Sequence, residues 1–104
     1  MCQAPISEMV VEVSAYNSCP WQCSGDPFVT AYGYKLTDDS KVVASNFLKD
    51  NQLVSINGVL YANKDKMAAR YNNHIDIYMG SCSDENVKKA INFGRQKIKV
   101  IIYE

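Results

Sequence analysis

Asn57-Gly58, set between Leu53-Val54-Ser55-Ile56 and Val59-Leu60-Tyr61, constrains the fold more than any other feature of this chain. Both residues accept the positive φ angles of a two-residue turn whose twist matches that of paired strands, so the dipeptide predicts a tight β-hairpin. The same β-type pattern recurs around it. Met9 to Tyr16 (MVVEVSAY) is rich in β-branched and aromatic residues and reads as a strand. Phe28 to Tyr34 and Lys41 to Ala44 read as short strands separated by a polar turn at Asp38-Asp39-Ser40, and Asn17 to Asp26, carrying Pro, Gly, Ser and Asn, reads as a loop.

Further along, Ile75, Ile77 and Met79 alternate with His74, Asp76 and Tyr78. At a strand period of two, one face builds core and the other presents His, Asp and Tyr. A helix follows. Ser83 is placed to cap it, Asp84 and Glu85 suit the positive end of its dipole, Val87, Ala90 and Ile91 fall at helical spacing, and Gly94 ends it. Lys97 to Tyr103 is a closing strand with Ile98, Val100 and Ile102 on one face. Many short strands with a single helix before the last argue for a mainly β chain closed into a small barrel, because closure removes edges that would pair with other chains. The length of 104 residues fits one domain with one core, residues 1–8 being read as a terminal extension.

Lys plus Arg and Asp plus Glu are both 11, so the uniform positive field of a nucleic-acid binder is absent. A neutral or locally polar ligand fits better. No apolar run approaches the roughly 20 residues that span a membrane, which argues against membrane insertion. The opening Met1-Cys2-Gln3-Ala4-Pro5 lacks the basic and apolar parts of a signal peptide, so export is expected to use another route or a signal outside this sequence. The four cysteines, Cys2, Cys19, Cys23 and Cys82, lean towards disulfides and an oxidising destination. They allow three pairings, among which sequence does not choose. Reduced buried thiols and a four-cysteine zinc site stay open as alternatives, although Cys19-x3-Cys23 has no second close pair.

Asp65 and Asp76 lie eleven residues apart around one strand, an arrangement suited to a carboxylate site. An isolated Asp is almost wholly ionised at neutral pH and donates a proton poorly. A neighbouring carboxylate and burial both favour the protonated form, so the pair can tune one of its members. The plainer alternative is structural, with one aspartate closing a turn and the other accepting backbone hydrogen bonds. Arg70, between them, either orients a ligand or forms an ion pair that would pull Asp76 back towards ionisation. His74 shares the Asp76 face and reads as a rim residue open to solvent. Tyr16, Tyr32, Tyr34, Tyr71, Tyr78 and Trp21 are candidate stacking surfaces, though tyrosine is common in strands of any kind.

Several segments in order carry a resemblance: Ala15-Tyr16, Thr30-Ala31-Tyr32-Gly33, Val43-Ala44, Asn57-Gly58, Asp65, Ile75-Asp76-Ile77-Tyr78 and Phe93-Gly94-Arg95. They resemble the 3D domain, named for three aspartates, and with it the six-stranded double-psi β-barrel of MltA-type lytic transglycosylases, RlpA-like proteins and expansins. The resemblance runs from about Met9 to Glu104. It implies a bacterial cell-envelope, secreted or phage-associated protein acting on peptidoglycan glycan strands, with Asp76 as general acid and then base and Asp65 as its partner carboxylate. Thr30, Tyr32, Asn46, Arg70 and Tyr78 are read as substrate-binding positions; no cofactor is expected, and no metal, since two aspartates and an asparagine would need further oxygen ligands. Two departures mark a divergent branch: Asn46 stands where the family usually has aspartate, and Lys66-Met67-Ala68 replaces a common Gly-Gly. A barrel that binds glycan, or serves as a structural part, without turnover is the alternative.

Overall fold

The computed structural model describes residues 5–19 and 28–103, so Cys2, Trp21 and Cys23 lie outside the described residues. Among the described residues six strands and one helix follow in order: β1 (Pro5–Ser18), β2 (Val42–Ser45), β3 (Leu53–Ile56), β4 (Val59–Asp65), β5 (His74–Ser81), α1 (Asp84–Phe93) and β6 (Gln96–Tyr103). The strands close in the spatial order β1-β5-β2-β4-β3-β6. The β1–β5 and β2–β4 pairs are parallel and the rest antiparallel. Two parallel crossings inside a six-stranded closed barrel give the double-psi arrangement, with the single helix before the last strand.

The Asn57-Gly58 hairpin forms as its chemistry requires, with φ of 53° and 81° and Ile56 facing Val59 across the turn. Ser83 caps α1 by accepting from the Asn86 backbone N–H, and Gly94 ends the helix at φ 66°. Inside the barrel Val11, Val13, Val43, Val54, Ile56, Ile75, Ile77, Val100 and Ile102 pack into one core with Leu48. These are the inward positions of alternating strands, as the period of two in β1, β5 and β6 leads one to expect.

Three elements differ from the sequence reading. Strand β1 begins at Pro5, and Ser7 and Glu8 pair with Ile102 and Ile101, so residues 5–8 are barrel wall and not an extension. Their polar, exposed side chains hide this, because the pairing there is made by backbone. Phe28 to Tyr34 is no strand: one isolated bridge, Val29 to Lys35, brackets a turn in which Gly33 takes φ 80°. Ile91 is 70% exposed, so the apolar stripe of α1 is narrower than its spacing implies.

A second apolar cluster, Tyr16, Leu36, Val42, Ala44 and Tyr78 with Met67 against it, lies on the outer wall. Leu36 and Met67 come from the two segments that cross this wall, before β2 and after β4. A corner holds the first of them down. The Asp38 carboxylate accepts from the Ser81 backbone N–H at 2.6 Å, which holds its pKa below the ordinary carboxylate value. A Cys19–Cys82 disulfide ties the end of β1 to the end of β5. This is one of the pairings the sequence allowed, and it removes both sulfurs from any zinc or thiolate role.

Candidate functional site

The site is built on the outer wall by strand register. Ser14 pairs with Asp76, Asp76 with Ala44, and Ala44 with Asp65, a single row across β1, β5, β2 and β4. By simple alternation Asp65 would share the inward face of β4 with Asn63, which is fully buried. Between Val43↔Asn63 and Ala44↔Asp65 the register slips by one residue at Lys64. A bulge of this kind re-aims the next side chain. Asp65 therefore lines the outer cleft beside Asp76.

That cleft encloses about 790 Å³ and is lined by Tyr16, Thr30, Asp65, Lys66, Arg70, Tyr71 and Asp76, among others. Its size lies in the range of small-ligand sites. Burial beneath the overlying segments pushes the Asp76 carboxyl up to about 6. The Ser14 hydroxyl, donating to Asp76 Oδ1 at 3.0 Å, opposes this rise; the negative charge of Asp65 adds to it, and Arg95 works weakly against it. Asp76 thus stands poised to give up a proton near neutral pH.

Asp65 is held differently. Its Oδ1 accepts from the backbone N–H groups of Ala31 at 2.8 Å and Lys66 at 2.9 Å, and its Oδ2 accepts from the Tyr16 hydroxyl at 3.3 Å. It anchors both overlying segments to the barrel while presenting its charge to Asp76. The two aspartates thus differ: Asp76 has a raised pKa, and Asp65 accepts backbone hydrogen bonds.

Of the other expected positions, Thr30 and Arg70 line the cleft. Thr30 is also buried, its hydroxyl accepting from the Tyr34 backbone N–H. Arg70 forms no salt bridge with an aspartate among the described residues; it donates to the Tyr71 hydroxyl at 3.1 Å and stacks over that ring at 4.7 Å. This contact holds the Tyr71 pKa below the ordinary phenol value. Asn46, Tyr32 and Tyr78 do not reach the cleft wall. Asn46 fastens the segment after β4, donating to the Ala68 carbonyl and accepting from the Met67 N–H, both at 2.9 Å. Tyr32 lies under the Lys66 ammonium at 5.4 Å. Tyr78 is buried against Tyr16, its hydroxyl 2.6 Å from the Ser18 hydroxyl.

His74 is not a rim residue either, for it is 4% exposed. Its Nε2 lies 2.7 Å from Ser14 Oγ and its Nδ1 3.7 Å from Glu12. Burial and then Arg95 lower its pKa, while Glu12 raises it. Ser14 is the residue the sequence reading missed. The alternation Glu12, Ser14, Tyr16 on β1 marks an outward face, but only the parallel pairing with β5 brings that face to His74 and Asp76.

The fold and site define a small closed barrel with a carboxyl of raised pKa in an outer cleft. No protein-family model matches the chain, and no curated protein is detectably similar to it.

Proposed function

We propose that this barrel cleaves peptidoglycan between N-acetylmuramic acid and N-acetylglucosamine as a lytic transglycosylase, with Asp76 as the sole acid and base. The observation that carries this reading is one carboxyl raised to about 6 in an open cleft whose other carboxyl is already occupied by three donors. Hydrolysis of a glycoside ordinarily needs two working carboxyls, one to protonate the leaving group and one to activate water or attack. Intramolecular transglycosylation needs one. Protonated Asp76 gives its proton to the glycosidic oxygen as the C1–O bond breaks. The muramoyl 6-hydroxyl attacks C1 and returns its proton to Asp76, leaving a 1,6-anhydro end and consuming no water.

In this reading Asp65 stabilises the protonated state of Asp76, and its charge faces the cation that develops at C1. Lys66 and Arg70 at the cleft offer donors to the acyl oxygens of the sugars. The Cys19–Cys82 disulfide is in keeping with an extracytoplasmic or particle-borne setting. Among the described residues, no helix is long and apolar enough to cross a membrane.

The test is mass spectrometry of products from purified sacculi incubated with the wild type and with Asp76→Asn. Anhydro-muropeptides are expected from the wild type, with at least about a 100-fold loss in the variant, the scale of a lost general acid. Their yield should fall as pH rises through about 6. Reducing ends alone, or equal products from both proteins, contradict the reading. Asn46, turned to the loop backbone, favours the second reading, a barrel that binds glycan without cutting it. Cosedimentation with insoluble peptidoglycan and no released fragment would support that one.

A further inference from the structure

We propose that Ser14 and His74 form a proton relay along the outer wall of the barrel, by which Asp76 exchanges protons with solvent beside Glu12 and not through the cleft. The path is hydrogen-bonded from Asp76 as far as His74. Asp76 Oδ1, Ser14 Oγ and His74 Nε2 follow one another at 3.0 and 2.7 Å, and His74 Nδ1 faces the Glu12 carboxylate at 3.7 Å. The Glu12 side chain is 40% exposed, whereas that of His74 is 5% exposed. The register explains the alignment, since Glu12↔His74 and Ser14↔Asp76 are successive same-face pairs of the parallel β1–β5 ladder.

Proton positions along this path come in two sets. With Asp76 ionised, the Ser14 hydroxyl donates to it, so neutral His74 must carry its proton on Nε2 and donate to Ser14. With Asp76 protonated, its O–H donates to Ser14, Ser14 donates to Nε2, and the His74 proton lies on Nδ1 towards Glu12. Passing from the first set to the second takes one proton from solvent at Nδ1, moves the Nε2 proton to Ser14 and moves the Ser14 proton to Asp76. One proton enters, one arrives, and every other group keeps its charge.

Burial favours such sharing because it acts oppositely on the two ends, raising the carboxyl and lowering the imidazole until they approach each other. Other charged groups around the path are Asp65 on β4, which faces Asp76, Arg95 after α1, whose Nε lies 3.6 Å from Glu12 Oε1, and Lys97, which pairs with Glu12 across the β1–β6 ladder. The Tyr71 ring lies 5.3 Å from the His74 ring. A glycan lying in the cleft would cover Asp76, and the relay would load the acid while that entrance is closed. Only this use rests on the function proposed above; the relay itself is read from protons and not from products.

The test is nitrogen-15 NMR of the His74 ring in the 104-residue chain, free of ligand, as a function of pH. In the wild type at about pH 8, where Asp76 is ionised, the relay requires the Nε2–H tautomer. In Ser14→Ala that tautomer should be lost in favour of Nδ1–H directed at Glu12, and Ser14→Thr, which keeps the hydroxyl, should restore it. A wild type holding the Nδ1–H tautomer at that pH overturns the proposal even if the alanine variant fails to fold. So does a Ser14→Ala spectrum unchanged from the wild type. Sacculus digestion that fails while the tautomer behaves as described removes the enzyme reading and leaves the relay standing.

Discussion

The two faces of β5 are both covered, but by different means. Ile75 and Ile77 point into the barrel, where aliphatic side chains from β1, β2, β3 and β6 enclose them. His74, Asp76 and Tyr78 point outwards and are covered by segments held on by Asp38, Asn46 and Asp65. The inner face is buried by packing, which is indifferent to pH. The outer face is buried by polar fastenings, and the charge it encloses makes it answer to pH. A small barrel has little interior to spare for a functional group, so the group sits outside under a roof.

This contrast can be broken at four points. Reducing Cys19–Cys82, which closes a separation of 63 residues, should have the largest effect, a loss of about 4 kcal/mol by loop entropy. Denaturant titration with and without reductant measures it. Ile75→Ala empties part of the inner core and should cost about 3 kcal/mol with no pH dependence between about pH 4 and pH 8. If that loss varies with pH as strongly as any effect at Asp76, the two faces are not distinct.

Asp76→Asn should act with the opposite sign. The carboxyl titrates near 6 in the fold against an ordinary 3.8. Because the folded value is the higher, protonation favours the fold fully below the ordinary value, and this contribution disappears as pH rises through 6. Above that, the ionised carboxylate burdens the native state by about 3 kcal/mol with the Ser14 bond already counted, and a buried amide in its place still costs about 1 kcal/mol. The amide variant should therefore exceed the wild type by about 2 kcal/mol near pH 8 and lose this advantage below about pH 4. Thermal melts across that range would show it, and a variant less stable at both ends would contradict it. The smallest effect is expected at Asn46→Ala, about 1 to 2 kcal/mol, from two hydrogen bonds to the overlying segment. Amide exchange should quicken at residues 66–71 and not in β5.

The inner face was legible in the sequence because alternation records it directly: the hairpin at Asn57-Gly58, the core positions of β5 and β6 and the capped helix all follow from local chemistry. The outer face was legible only in its residues, not in their partners. Nothing local says that Ser14 lies beside Asp76 across a parallel ladder, or that a bulge at Lys64 turns Asp65 outwards. The same limit applies to Asn46, whose amide reads equally well as a ligand contact or as a loop fastening until the loop is in place. Tyr78 reads as a stacking platform until Leu36 and Tyr16 cover the wall on which it stands.

The central claim, that the outer roof keeps Asp76 protonated far above the range of an ordinary aspartate, is tested most directly by carbon-13 NMR of its side-chain carboxyl against pH. A midpoint near 6 is the predicted result. A midpoint at or below the ordinary 3.8 would mean that the cleft holds a permanently ionised carboxylate, and the acid role would fall with it.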